Sequence, residues 1–158
     1  ITSFKPEEFI FDHPIVFDIP LNDETLVMPD HLKKLEETGK EADLILFRFG
    51  YGIVRQSDPA RYSTRCPGFG IESAEYLLKT FPKMRCIGMD VPSLSCIAYL
   101  EKTMKAQNIL LSGNGGRFLV LEDLKLDGDL SHLRNVVVAP WLIKDLDGGP
   151  VTVFGYLD

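Results

Sequence analysis

The run Asp43-Leu44-Ile45-Leu46-Phe47-Arg48-Phe49 constrains the fold more than any other stretch. It has strand length, and its apolar residues do not alternate with polar ones. Both faces must therefore be buried, as in the middle of a parallel sheet. A second strand is expected at Arg85 to Met89. Between the two, Ile71, Ala74, Leu77, Leu78 and Phe81 recur at helical spacing, so residues 71–81 make an amphipathic helix that Pro82 ends. Strands alternating with helices define an α/β chain.

The flanks extend this pattern. Val16-Phe17-Asp18-Ile19-Pro20 reads as a short strand entering a turn. Pro29 opens a helix in which Leu32 and Leu35 share a face, Asp30 suits the dipole of the first turn, and Gly39 closes the segment. Residues 50–70 are rich in Gly, Pro, Arg and Ser and are expected to form one long irregular loop. Ser95 is a candidate N-cap for a helix from about Cys96 to Ala106, which Glu101 and Lys105 would support as an i,i+4 pair. Further strands are expected at 117–121, 135–139 and 151–156. Asp147-Gly148-Gly149-Pro150 leaves no room for a crossover helix between the last two, so they cannot be joined as a parallel pair and the sheet is expected to be mixed.

Composition narrows the partners. The 158 residues, 45% hydrophobic, suit one domain with a real core, with no linker or repeat that argues for a second. A net charge of −6, with no basic run longer than Lys33-Lys34, disfavours nucleic acid and anionic lipid. No stretch approaches the roughly 18 to 20 apolar residues of a membrane span. A cytoplasmic location is the expectation. Cys66, Cys86 and Cys96 are odd in number and lack Cys-x-x-Cys spacing, which points to reduced thiols rather than disulfides or a thiolate zinc site.

Two carboxylates stand among residues that look buried. Asp90, in Gly88-Met89-Asp90-Val91-Pro92-Ser93, lies at the C-terminal end of a strand, where it either shapes the Pro92 turn or faces a ligand. Glu122, in Leu119-Val120-Leu121-Glu122-Asp123-Leu124, ends the next strand, where it is either solvated or presented to a cleft as a metal ligand or general base. Cys96 beside Ser93 and Ser95 invites a nucleophile reading but has no recognisable base. His13, His31 and His132 form no ligand-spacing motif. Ser112-Gly113-Asn114-Gly115-Gly116 follows a helix and precedes a strand, the reverse of a phosphate-cradling loop, and reads as a plain turn.

Five segments in order carry a resemblance: Cys66-Pro67-Gly68-Phe69-Gly70-Ile71-Glu72-Ser73-Ala74-Glu75-Tyr76-Leu77, Ile87 to Ser93, Leu121-Glu122-Asp123-Leu124, Val138-Ala139-Pro140-Trp141 and Gly148-Gly149-Pro150-Val151. Together they resemble the cyclase or kynurenine formamidase family of metal-dependent hydrolases. The resemblance implies a swivelling β/β/α domain with a mixed sheet, usually oligomeric. It also implies zinc or manganese in the complete protein, and hydrolysis of small amides such as the N-formylkynurenine of tryptophan catabolism. It makes Glu122 a metal ligand and places Asp90 and Ser93 at a small-molecule substrate.

Two departures accompany it. The family's His-x-Gly-Thr-His-x-Asp-x-Pro segment has no counterpart after Ile1, and the histidine expected before Leu110-Leu111 is replaced by Gln107 or Asn108. The expectation is an N-terminally truncated, cyclase-like domain that cannot complete the metal site by itself. The alternative is a non-catalytic small-molecule binding or assembly module on the same fold.

Overall fold

The computed structural model describes residues 1–158. Its strands are β1 (Ile10–Phe11), β2 (Pro14–Asp18), β3 (Leu26–Val27), β4 (Leu44–Arg48), β5 (Gly68–Phe69), β6 (Cys86–Met89), β7 (Leu119–Leu121), β8 (Leu133–Pro140) and β9 (Val151–Leu157). Its main helices are α1 (Pro29–Leu32), α2 (Gly52–Ser57), α3 (Pro59–Thr64), α4 (Ile71–Thr80) and α5 (Leu100–Leu111).

The unbroken apolar run does occupy the middle of a parallel sheet. β4 lies between β2 and β6 in the order β2-β4-β6-β7, with Ile45 opposite both Ile15 and Ile87. β8 pairs antiparallel with β9 on one side and β1 on the other, while β3 and β5 form a short parallel pair. Parallel and antiparallel strands thus occur in one chain, sorted into separate sheets.

Side-chain alternation along the parallel strands sets three layers. Ile45, Phe47, Ile87 and Met89 pack with Leu77 and Phe81 at α4 and with Ala106 and Leu110 of α5. Leu44, Leu46, Cys86 and Leu121 point the other way, into a smaller core with Phe11, Val136 and Val138 of the antiparallel sheet. Antiparallel sheet, parallel sheet and helices are therefore stacked in that order, the β/β/α arrangement expected.

Several boundaries follow their sequence signals. Pro29 is the first residue of α1, a 3₁₀ segment Lys33–Glu37 continues it, and Leu32 and Leu35 are fully buried. Glu101 and Lys105 pair at 2.7 Å on α5. Asn114, Gly115 and Gly116 adopt positive φ and turn the chain from α5 towards β7.

Two expectations are corrected. Residues 50–70 are not one irregular loop, because they contain α2, α3 and β5. Six-residue helices are too short to show a periodicity, although Asp58 caps α3 through the Arg61 N–H (3.0 Å) with Pro59 following it. Ser95 does not cap a helix at Cys96 either. A 3₁₀ turn Ile97–Tyr99 intervenes, α5 starts at Leu100, and the Cys96 N–H is satisfied by Thr103 Oγ1 at 3.2 Å. No helix is long and apolar enough to cross a membrane.

Candidate functional site

The register of β6 against β7 sets Gly88 opposite Leu121, and bonds from the Leu124 N–H to Met89 O and from the Asp123 N–H to Val91 O carry the association past the strand ends. Asp90 and Glu122 consequently emerge at the same end of neighbouring strands. Their side chains then diverge.

Asp90 turns towards the end of β4. Its Oδ1 accepts the Phe49 N–H at 2.7 Å, and its Oδ2 accepts those of Gly50 and Tyr51 at 2.9 Å each. Gly50 supplies the positive φ (83°) that aims these amides inward. Asp90 is only 4% exposed; burial pushes its carboxyl up from the ordinary value and the three amides pull it back. Both oxygens are engaged in shaping the turn after β4. The group borders a small cavity of about 220 Å³ with Arg48, Gly52 and Asp127.

Glu122 turns to the other side. Its Oε1 accepts the Leu94 N–H at 2.8 Å, and the residue stands in the wall between two larger clefts. One, about 560 Å³, lies between the two sheets beside Leu124, Leu126, Val136 and Val153. The other, about 540 Å³, is walled by Phe4, Phe9, Phe118, Val120 and Val138.

Gln107 of α5 lines this second cleft with Glu122, and its Oε1 accepts the Ser95 hydroxyl at 3.3 Å. Asn108 is exposed and does not border the cleft, so of the two residues only Gln107 reaches it. Ser93 Oγ accepts the Ser95 N–H at 3.1 Å and stiffens the loop that holds both partners.

The Cys-Pro-Gly segment braces the same loop. Phe69 N–H bonds Leu94 O at 3.1 Å, Cys66 Sγ lies 3.8 Å from Ser95 O, and a Cβ on Gly68 would stand 2.7 Å from the Cys96 amide nitrogen. Cys66 and Cys96 are buried, and burial lifts the Cys66 thiol to about 11. The three histidines are exposed and border neither large cleft; His31 instead caps α1, its Nδ1 accepting the Met28 N–H.

Sequence reasoning missed a third acidic position, Asp123. It adopts φ 60° and accepts hydrogen bonds from the Tyr62 hydroxyl and, at 3.0 Å, from Arg55 Nη2. Burial and the adjacent carboxylate hold the Tyr62 hydroxyl protonated well above its usual range. Only the positive φ, favoured by Asp, leaves a trace in sequence.

A catalytic zinc takes about three protein ligands plus water, and no group of three His, Cys, Asp or Glu side chains here could hold a metal ion. Glu122 Oε1 is taken by the Leu94 N–H. The residues present do not fit the metal that the resemblance implies.

The family described as Putative cyclase matches residues 1–95, more than half of the chain. The chain belongs to this cyclase family. The matched span runs from Ile1 through the Asp90 turn and Ser93, and Gln107 and Glu122 lie beyond it.

In fold, this cyclase-family chain is similar to isatin hydrolase A from Ralstonia solanacearum, with a TM-score of 0.77 and 22% identity over 99% of this chain and 64% of that one. It is also similar to an isatin hydrolase bound to the product analogue thioisatinate (TM-score 0.74, 19% identity, 96% and 62% of the two chains). A third similar structure is isatin hydrolase A from Labrenzia aggregata bound to benzyl benzoate (0.72, 20%, 96% and 62%). The chain thus spans 62–64% of the length of these structures. No curated protein sequence matches it.

Proposed function

We propose that this chain carries the substrate cleft of a hydrolase acting on small aromatic amides, with Glu122 as the group that receives a proton or hydrogen bond from the reacting molecule. The observation that carries the reading is the placement of Glu122. One oxygen is fixed by the Leu94 N–H, while the residue borders a cleft of about 540 Å³ in which apolar side chains are mixed with polar groups, a lining that can hold a small molecule and orient it. Membership of the cyclase family and likeness in fold to isatin hydrolases support the reaction class.

The supporting parts act by position. Ser93 and the Cys66 to Phe69 segment keep the loop in place, Leu94 orients the carboxylate, and Phe4, Phe118 and Val120 exclude water from one side of a bound ring. No step is assigned to a metal, because the residues present do not hold one.

Hydrolysis of isatin and of N-formylkynurenine by the purified protein tests the proposal. Glu122→Ala is expected to lower kcat by about 100-fold or more, the ordinary range for loss of a general acid or base. Equal rates in the two proteins, or no turnover above buffer by the parent protein, would overturn it.

A second reading, a binding module without catalysis, is favoured by the residue lining this cleft at the position where the resemblance expects a histidine: Gln107, whose carboxamide is bonded to the Ser95 hydroxyl. It expects tight binding of such amides with no turnover.

A further inference from the structure

We infer that the free edge of β9 pairs with the same edge of a second copy of this chain, joining the two antiparallel sheets into one across a twofold axis.

β9 (Val151–Leu157) ends the order β1-β8-β9, so one of its edges has no strand beside it. The register fixes which groups that edge presents. The Trp141 N–H donates to Pro150 O at 3.1 Å, which makes these two residues a hydrogen-bonded pair, and such pairs recur at every second position of an antiparallel ladder. Thr152, Phe154 and Tyr156 therefore turn their amides and carbonyls to β8. Val151, Val153, Gly155 and Leu157 turn theirs outward, where no other strand meets them.

Such an edge is ordinarily blunted by charge, by proline or by a bulge. Val151 to Leu157 contains neither charge nor proline, and the one irregularity in its pairing with β8 falls at the far end, between Leu133 and Asn135. Asp158, the next residue, is paired with Arg134 within the chain. A chain of net charge −6 repels its own copies at long range, and this strand adds nothing to that repulsion.

The side chains favour a copy of β9 as the occupant, because a twofold interface sets one patch against itself. Antiparallel overlap of the whole strand centres on Phe154. On the outer face Phe154 then meets its own counterpart and Thr152 meets Tyr156, aromatic and β-branched pairs of the kind that stabilise sheets. Val153 exchanges hydrogen bonds with Gly155 of the other copy, as Val151 does with Leu157, so every outward amide finds a carbonyl. Phe154, Tyr156 and Leu157 are 53%, 59% and 54% exposed. At roughly 200 Å² for a side chain of this size, they and the strand edge let two copies cover on the order of 1,000 Å², the scale a specific interface needs.

The inner face gains as well. Val151, Val153 and Gly155 line the cleft of about 560 Å³ between the sheets, and the two valines are only partly buried against the smaller core. A second β9 laid alongside covers them.

Sedimentation velocity of the purified chain across a wide range of concentration tests the pairing. A species of twice 17.8 kDa is expected as concentration rises. Val153→Pro removes an amide that faces outward and leaves the ladder with β8 intact, so it should keep the far-UV circular dichroism of the parent and lose the dimer. Phe154→Cys adds a reading of register that does not depend on how the proline variant folds. The two Phe154 positions stand about 4.5 Å apart between Cα atoms, within disulfide range, and oxidised glutathione, accepting the two electrons, should link the copies. Thr152→Cys, four residues out of register with itself, should stay unlinked under the same conditions. The native Cys66, Cys86 and Cys96 are buried and do not compete.

A monomer at every concentration, a dimer that persists in a folded Val153→Pro, or linkage of Thr152→Cys as readily as of Phe154→Cys overturns the inference.

Discussion

At the scale of single residues, the two strand-end carboxylates have opposite fates for one physical reason. A buried carboxylate needs donors, and the nearest unpaired ones differ. Asp90 meets three backbone N–H groups presented by the turn after β4; Glu122 meets one, from Leu94, and keeps an oxygen for the cleft. Asp90→Ala should therefore act on stability, leaving three amides unsatisfied at a cost of about 3 kcal/mol. In urea the midpoint should fall with an unchanged slope, and an unmoved midpoint would show that water replaces the carboxylate freely. Sequence alone made both carboxylates visible, because an acid inside an apolar run stands out. It left the role of Asp90 open between turn and ligand, since the donors that settle its bonding lie about forty residues away.

At the scale of elements, the Cys66 to Phe69 segment and the Leu94 to Cys96 loop form one unit. β5 passes so close to the loop that a Cβ on Gly68 would come within 2.8 Å of backbone at Leu94 O and at Cys96 N. Gly68→Ala should push the loop away, costing about 1–3 kcal/mol as overpacking does, and should weaken ligand binding at the Glu122 cleft with it. Stability lost without any change in binding would show that the loop is not coupled to β5. The long elements were legible from period and length: the apolar strand β4, the amphipathic α4 and the late hairpin of β8 and β9. α2 and α3 were not, because a helix of six residues holds less than two turns of pattern. With them went Arg55 and Tyr62, the partners of Asp123.

At the scale of the whole molecule, the parallel sheet is buried on both faces, and it brings the ends of β6 and β7 to the same edge. The central buried strand was readable, as was the resemblance to the cyclase family that residues 1–95 establish; the strand order and the sorting of parallel and antiparallel strands into separate sheets were not. The cleft was not, because its walls come from Phe4, Phe9, α5, β7 and β8, brought together only by tertiary packing. The central claim is that small aromatic amides bind in the cleft that Glu122 and Gln107 line. A titration of the ¹⁵N-labelled protein with isatin, followed by amide resonances, tests it most directly. The account predicts saturable shifts at the Leu94 and Ser95 amides and at the Gln107 side-chain NH₂, with Gly50 and Gly128 at the small Asp90 cavity unmoved. Shifts centred on Gly50 and Gly128, or none at saturating isatin, would contradict it.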